Sequence, residues 1–312
     1  MQMSQGKNAD ALKNGALIAF PTETVYGLGA DASNEKAVAR IYEVKARPHN
    51  HPLILHIASM DEISYWALDV KDYALALARD FWPGPMTLIF NRSAHAKDFV
   101  TGGQESVGLR VPDHALALDL LQECLKIGVH AIAAPSANRF GHVSPTTAAA
   151  VHEEIGTYLL PDDVILDGGS AHVGLESTII DCTGDAPRIL RPGAITQGMI
   201  EKCTGLTVNE TSNSNIRVSG SLEKHYAPNA QIILDVQATA GQGFIAPAEV
   251  ATPQGAIRLA APTNTDEYAR LLYAALRDAD SQGLITIAII QPSGDGLAIA
   301  IRDRLLRAAN GR

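Results

Sequence analysis

Apolar and polar positions along this chain fall into short blocks that read alternately as strand and helix. Residues 16–20 form an apolar run that enters a turn holding Pro21, Gly27 and Gly29, with Thr22, Glu23, Thr24 and Tyr26 crowded between them. A helix is predicted from Ser33 or Asn34, because either side chain can accept from the first free N–H groups and Glu35 suits the positive end of the dipole. Ala37, Val38, Ile41 and Tyr42 then repeat at helical spacing and mark its core face. Pro48 stops the helix beside Lys45 and Arg47, and a strand follows at 53–57.

The alternation continues with helices at 73–81 and 116–127 and strands at 87–90, 106–111, 131–134 and 164–167. A second polar turn, PSANRFGHVSPT at 135–146, places Ser136, Asn138, Gly141 and Ser144 where a strand gives way to a helix whose first turn includes Pro145 or Thr146. In an α/β sheet, free N–H groups and the helix dipole favour an anion at such a place, although an ordinary capped loop has the same composition. Residues 205–229 are polar, rich in Ser and Asn, and read as a linker between a first domain at 1–204 and a second at 230–312. The linker ends in Lys224, His225, Tyr226, Ala227 and Pro228, which is more specific than a spacer needs. Beyond it, strand patterns at 231–234, 256–259 and 284–290 alternate with helical ones at 265–279 and 297–309, predicting a small, mostly parallel sheet. QPSGDG at 291–296 lacks a Walker lysine and reads as a plain connection.

Length supports the two-domain division, since 312 residues are many for one core. No apolar run approaches the ~20 residues of a membrane helix, and the first residues lack a signal-peptide core, so a cytoplasmic protein with no membrane partner is expected. Cys124, Cys182 and Cys203 stand apart, which suggests neither disulfides nor a zinc knuckle. The net charge of −9 lies mainly in the first 195 residues, with 15 Lys and Arg against 23 Asp and Glu; the remainder has 10 against 11. An acidic domain without a basic run is poorly suited to sequence-independent nucleic-acid binding. A small anion can still be held where a few cations converge.

Lys45, Arg47, Arg110 and Arg191 are such cations, standing at turns or in strands. Either internal carboxylates neutralise them or a phosphate chain does, because guanidinium forks and hydroxyls together suit a nucleoside triphosphate. His49, His51 and His56 lie within eight residues, but with two prolines and no acidic or thiol ligand among them; hydrogen-bonding roles fit better than a dedicated metal site. No nucleophile elbow, catalytic triad order or HExxH occurs, so covalent catalysis is not indicated.

PTETVYGLG at 21–29, KAR at 45–47, GLRVP at 108–112, APSAN…SPT across 134–146, ESTI at 176–179, LRPG at 190–193 and HYAP at 225–228 occur in that order. Together they resemble the threonylcarbamoyl-AMP synthase family, whose YrdC domain has a KxR…SxN signature, and its longer Sua5-type branch. The resemblance implies an α/β fold: a twisted YrdC-type domain with a concave cavity, plus a smaller Rossmann-like C-terminal α/β domain. It implies that L-threonine, bicarbonate and ATP give threonylcarbamoyl-AMP and pyrophosphate, for modification of adenosine 37 in tRNAs reading ANN codons by a downstream transferase machinery. By the same resemblance Thr24, His56, Arg110, Ala134 and Ser177 bind threonine, with Arg110 at its carboxylate. Arg47, His51, Ser106, Ser136, Asn138, Ser144, Arg191 and Tyr226 bind ATP, and Lys45 and Arg47 are the catalytic cations. His51 departs from the Asn frequent at its place in the family. Mg²⁺ is expected to arrive with ATP, without a dedicated protein site. The linker is expected to fold over the cavity and gate it. Rival readings are a double-stranded-RNA-binding YrdC-like protein and a carbamoyl-transfer domain of the hydrogenase-maturation type.

Overall fold

The first helix lies where the sequence suggested only a polar leader. In the computed structural model, which describes residues 4–209, 216–220 and 226–311, Gln5–Lys13 is helical and turns Ala9 and Leu12 onto Leu120, Leu121 and Cys124 of helix Ala115–Lys126. Two alanines and one leucine in nine residues are too few to raise a periodic signal.

Among the described residues ten strands form one mixed sheet. Its order runs Arg188–Arg191, Thr178–Asp181, Met86–Arg92, Ser106–Arg110, Ile54–His56, Ile132–Ala133, Gly27–Asp31, Ile18–Phe20, Val164–Ile165, with Ala67–Leu68 paired off this path to Met86–Arg92. Gly27 and Gly29 therefore belong to a strand, not to the turn expected of them; Ile18 lies antiparallel opposite Gly29. A Cβ on Gly29 would sit 2.5 Å from Ile132 Cγ2 and 2.9 Å from the Phe20 ring, so this glycine answers a close approach between strands. The polar turn contracts to 21–26.

Helix Glu35–Lys45 starts as predicted, with Asn34 accepting from the Ala37 N–H, and buries Ala37, Val38, Ile41 and Tyr42. The helix after the second polar turn begins later than expected, at Ala148–Ile155. Thr147 caps it by accepting from the Ala150 N–H, while the carbonyls of Pro145 and Thr146 are taken by Tyr26 and Ala171.

The C-terminal sheet has four parallel strands in the order Gln231–Leu234, Thr286–Ile289, Gly243–Ile245, Ile257–Ala260. Helices Thr265–Ser281 and Leu297–Ala309 bury Leu272, Leu276, Ile301 and Leu305 with Ile287. The parallel sheet was legible; its strand Gly243–Ile245 was not, being three residues long beside glycine. The stretch read as a spacer is partly built into the fold: Val218 packs on Ile89 and Ile179, and Tyr226 is buried. Lys224 and His225 lie outside the described residues. No described helix is long and apolar enough to cross a membrane.

Candidate active site

The two polar turns are tied together edge to edge. Gly27 bridges Ser136, the Leu28 N–H donates to Pro135 O and the Ala137 N–H to Tyr26 O. With the strand ends at His56, Arg110, Ser177 and Arg191 they enclose a cavity of about 540 Å³, mouth included. That space suits small substrates.

Thr24, His56, Arg110, Ala134 and Ser177, the five residues expected around threonine, all line this cavity. Arg110 Nη2 donates to Thr24 Oγ1 at 2.8 Å and lies 2.7 Å from Glu23 Oε1, while Glu23 Oε2 accepts from the Asp113 N–H at 3.0 Å. An internal carboxylate thus neutralises Arg110. Burial, reinforced by Arg110, pushes His56 down from 6.5 to about 3, so its imidazole is neutral. His56 Nδ1 and Arg110 Nε are buried with no hydrogen-bond partner among the described residues.

Arg47, Ser136, Arg191 and Tyr226, expected around the nucleotide, line the same cavity. Arg47 Nη2 donates to Pro52 O and Ser219 Oγ, both at 3.1 Å, and its Nε has no partner among the described residues. Burial lowers Arg47 to about 10, which leaves it cationic at neutral pH. Arg191 donates through Nε and Nη2 to Ser177 O at 3.1 and 2.9 Å, and through Nη1 to Ser219 O at 2.8 Å. Among the described residues no carboxylate pairs with Arg47 or Arg191, so the two arginines keep their charge for a ligand.

Five residues expected at the site do not line this cavity. Lys45 is buried behind it, with Nζ donating to Ser136 O and Asn138 O; burial, then Arg47, lowers its ammonium well below the usual range. It shapes the SAN turn from within. Asn138 Nδ2 donates to Arg139 O and His142 O, closing the same turn. Ser144 Oγ donates to Glu176 Oε1 at 2.7 Å. Ser106 lines a smaller adjoining pocket under the linker, with Ile54, Val218 and Ser219. His51 sets its ring edge-on to Phe140, His49 packs at a tilt on Tyr42 and His56 lies edge-on to Phe20, so the three histidines do not converge.

Glu23, Glu176, Ser219 and Gly220, none of them expected at the site from the sequence, lie beside or line the cavity. Glu23 and Glu176 stand inside motifs already singled out, but a carboxylate looks solvated until its buried cation is located. Gly220, at φ +78°, admits Tyr226: a Cβ there would meet Tyr226 Oη at 2.1 Å.

A neutral imidazole, an arginine paired with a carboxylate, and two arginines without a carboxylate partner among the described residues line one cavity, a lining suited to small polar or anionic ligands. Comparisons with known proteins make this specific. Residues 10–193 match the family model described as "Telomere recombination" (Sua5, YciO and YrdC), and residues 195–310 match "Threonylcarbamoyl-AMP synthase, C-terminal domain". Threonylcarbamoyl-AMP synthase of Pyrococcus abyssi is 37% identical, covering 97% of this chain and 93% of its own length. The Bacillus subtilis enzyme is 36% identical, covering 97% and 92%. The solved structure of P. abyssi Sua5 with L-threonine superposes with a TM-score of 0.88 at 34% identity, over 100% of this chain and 96% of that one. The chain belongs to the threonylcarbamoyl-AMP synthase family, in its two-domain Sua5 form, and is an enzyme.

Proposed function

We propose that the cavity brings L-threonine, bicarbonate and ATP together to form L-threonylcarbamoyl-AMP and pyrophosphate. The observation that carries this reading is the pair of buried guanidinium nitrogens without a hydrogen-bond partner among the described residues, both on arginines that line the one cavity. Arg110 lies close enough to the neutral His56 to depress its pKa, and Arg47 lies close to Arg191. Buried donors of this kind call for an acceptor. A threonine carboxylate satisfies the first and a phosphate oxygen the second.

The threonine amine and bicarbonate condense to a carbamate with loss of water. A carbamate oxygen then forms a bond to the α-phosphorus of ATP as the bond to the β-phosphate oxygen breaks and pyrophosphate leaves. The chain's residues orient the reactants and neutralise developing charge. Glu23 and Glu176 are engaged by Arg110 and Arg304, so they form no cage for a metal; Mg²⁺ enters as part of the ATP substrate, held by phosphate oxygens and water. Lys45 acts here by holding the SAN turn, and Arg47 by contact with phosphate.

Ser219, Gly220 and Tyr226, which belong to the stretch read as a linker, line the cavity, and this supports a gate. Removing everything beyond Ile195 is expected to weaken ATP binding, as isothermal titration would measure; unchanged affinity removes the gate. The net acidity of residues 1–195 opposes an RNA-binding role. We place the reaction in the cytoplasm, with transfer to tRNA left to a separate transferase. The test of the reading is threonine-dependent capture of labelled bicarbonate as an adenylate.

A further inference from the structure

Glu176 is a cavity carboxylate held by residues from the far end of the chain. Its Oε1 accepts from Ser144, but its Oε2 accepts from Tyr273 Oη at 2.8 Å and from Arg304 Nε at 2.9 Å. Both donors stand on C-terminal helices, Thr265–Ser281 and Leu297–Ala309. The Arg304 side chain is 0% exposed, which is uncommon for arginine unless it is paired. Its Nη2 donates to Pro192 O at 2.9 Å, and its guanidinium lies 5.3 Å from the centre of the Tyr226 ring. A cation of the C-terminal domain therefore reaches the wall of the cavity.

Glu176 also neighbours Arg191, which donates to the carbonyl and hydroxyl of the next residue, Ser177. Burial alone would raise the Glu176 carboxyl; Arg304 first, then Arg191, hold it down at about 2. Without Arg304, the carboxylate would face Arg191 with no other compensating cation of that strength, and would repel an entering phosphate chain.

We propose that Arg304 is a positioning residue of the active site: by neutralising Glu176 from the C-terminal side, it leaves Arg191 available to the nucleotide phosphates. The C-terminal domain thereby sets ATP affinity through one buried ion pair. This rests on the reaction proposed above.

The experiment compares full-length wild type, Arg304→Met, Glu176→Gln and the double variant in steady-state kinetics, with folding followed by circular dichroism. Arg304→Met should raise KM for ATP about tenfold or more while KM for L-threonine changes less than about threefold. The double variant, with neither charge, should recover most of the loss. A folded Arg304→Met protein with an unmoved KM for ATP, or no recovery in the double variant, overturns the proposal and leaves Arg304 a structural clamp. If Arg304→Met does not fold, Glu176→Gln decides: with the carboxylate gone, KM for ATP should fall about threefold, and an unchanged or raised value overturns the proposal. A wild type making no threonine-dependent adenylate overturns the reaction and this inference together, whereas an active wild type confines any failure to Arg304.

Discussion

Glu23→Gln removes one charge from a buried pair while keeping its shape. The partners lie 2.7 Å apart with side chains 1% and 5% exposed, so the substitution leaves Arg110 charged and without its counter-ion. Breaking a buried pair from one side costs ~3–5 kcal/mol, because the remaining charge stays desolvated. Arg110 borders the cavity, where solvent hydrates it in part, which favours the lower end, ~3 kcal/mol. At roughly 2–4 °C per kcal/mol for a domain of this size, the melting midpoint should drop by roughly 6–12 °C. L-threonine would return a carboxylate to Arg110. Saturating threonine should therefore raise the midpoint of the variant by several degrees more than that of wild type. Thermal melts followed by circular dichroism, with and without threonine, measure both effects. A midpoint within about 2 °C of wild type, or an equal threonine shift in the two proteins, would refute the reasoning about Arg110.

Arg47→Ala takes a donor from the cavity and should lower kcat by roughly 10²–10³; near-wild-type pyrophosphate release with threonine and bicarbonate present would remove Arg47 from its assigned role. Gly29→Ala would force a Cβ to within 2.5 Å of Ile132 and should cost ~1–3 kcal/mol in urea denaturation, a cost that an unshifted midpoint would deny. His56 gives a pH signature: its folded pKa of about 3 lies below the ordinary 6.5, so the unfolded chain takes the proton first and stability falls as pH drops from about 6.5 toward about 3. Between pH 7 and pH 5 this contributes up to ~2 kcal/mol; His56→Asn should lose that part of the slope, and urea titrations giving both proteins the same difference between the two pH values would count against a buried neutral imidazole.

Much of the architecture could be read from spacing alone. Ala37, Val38, Ile41 and Tyr42 form the buried stripe they suggested, Asn34 caps their helix, and the C-terminal sheet is parallel. Local pattern failed where tertiary contacts decide: Gly29 looked like a turn glycine because nothing in the chain announces that Ile132, a hundred residues on, lies against it. The same holds for the site. Arg47, Arg110 and Arg191 were visible as cations out of place on a solvated surface, and they do converge. Lys45 and Asn138, expected at the site through the resemblance, make hydrogen bonds that hold the SAN turn. Glu176 and Arg304 are separated by 128 residues, and neither carries a local sign of the other.

The central claim is that this cavity makes threonylcarbamoyl-AMP. Its most direct test incubates the full chain with MgATP, labelled bicarbonate and a panel of amino acids, followed by separation of labelled nucleotides. The account predicts one labelled adenylate that appears with L-threonine, together with stoichiometric pyrophosphate, and that is lost in Arg47→Ala. No labelled adenylate under any condition, or label that appears equally without threonine, would contradict it.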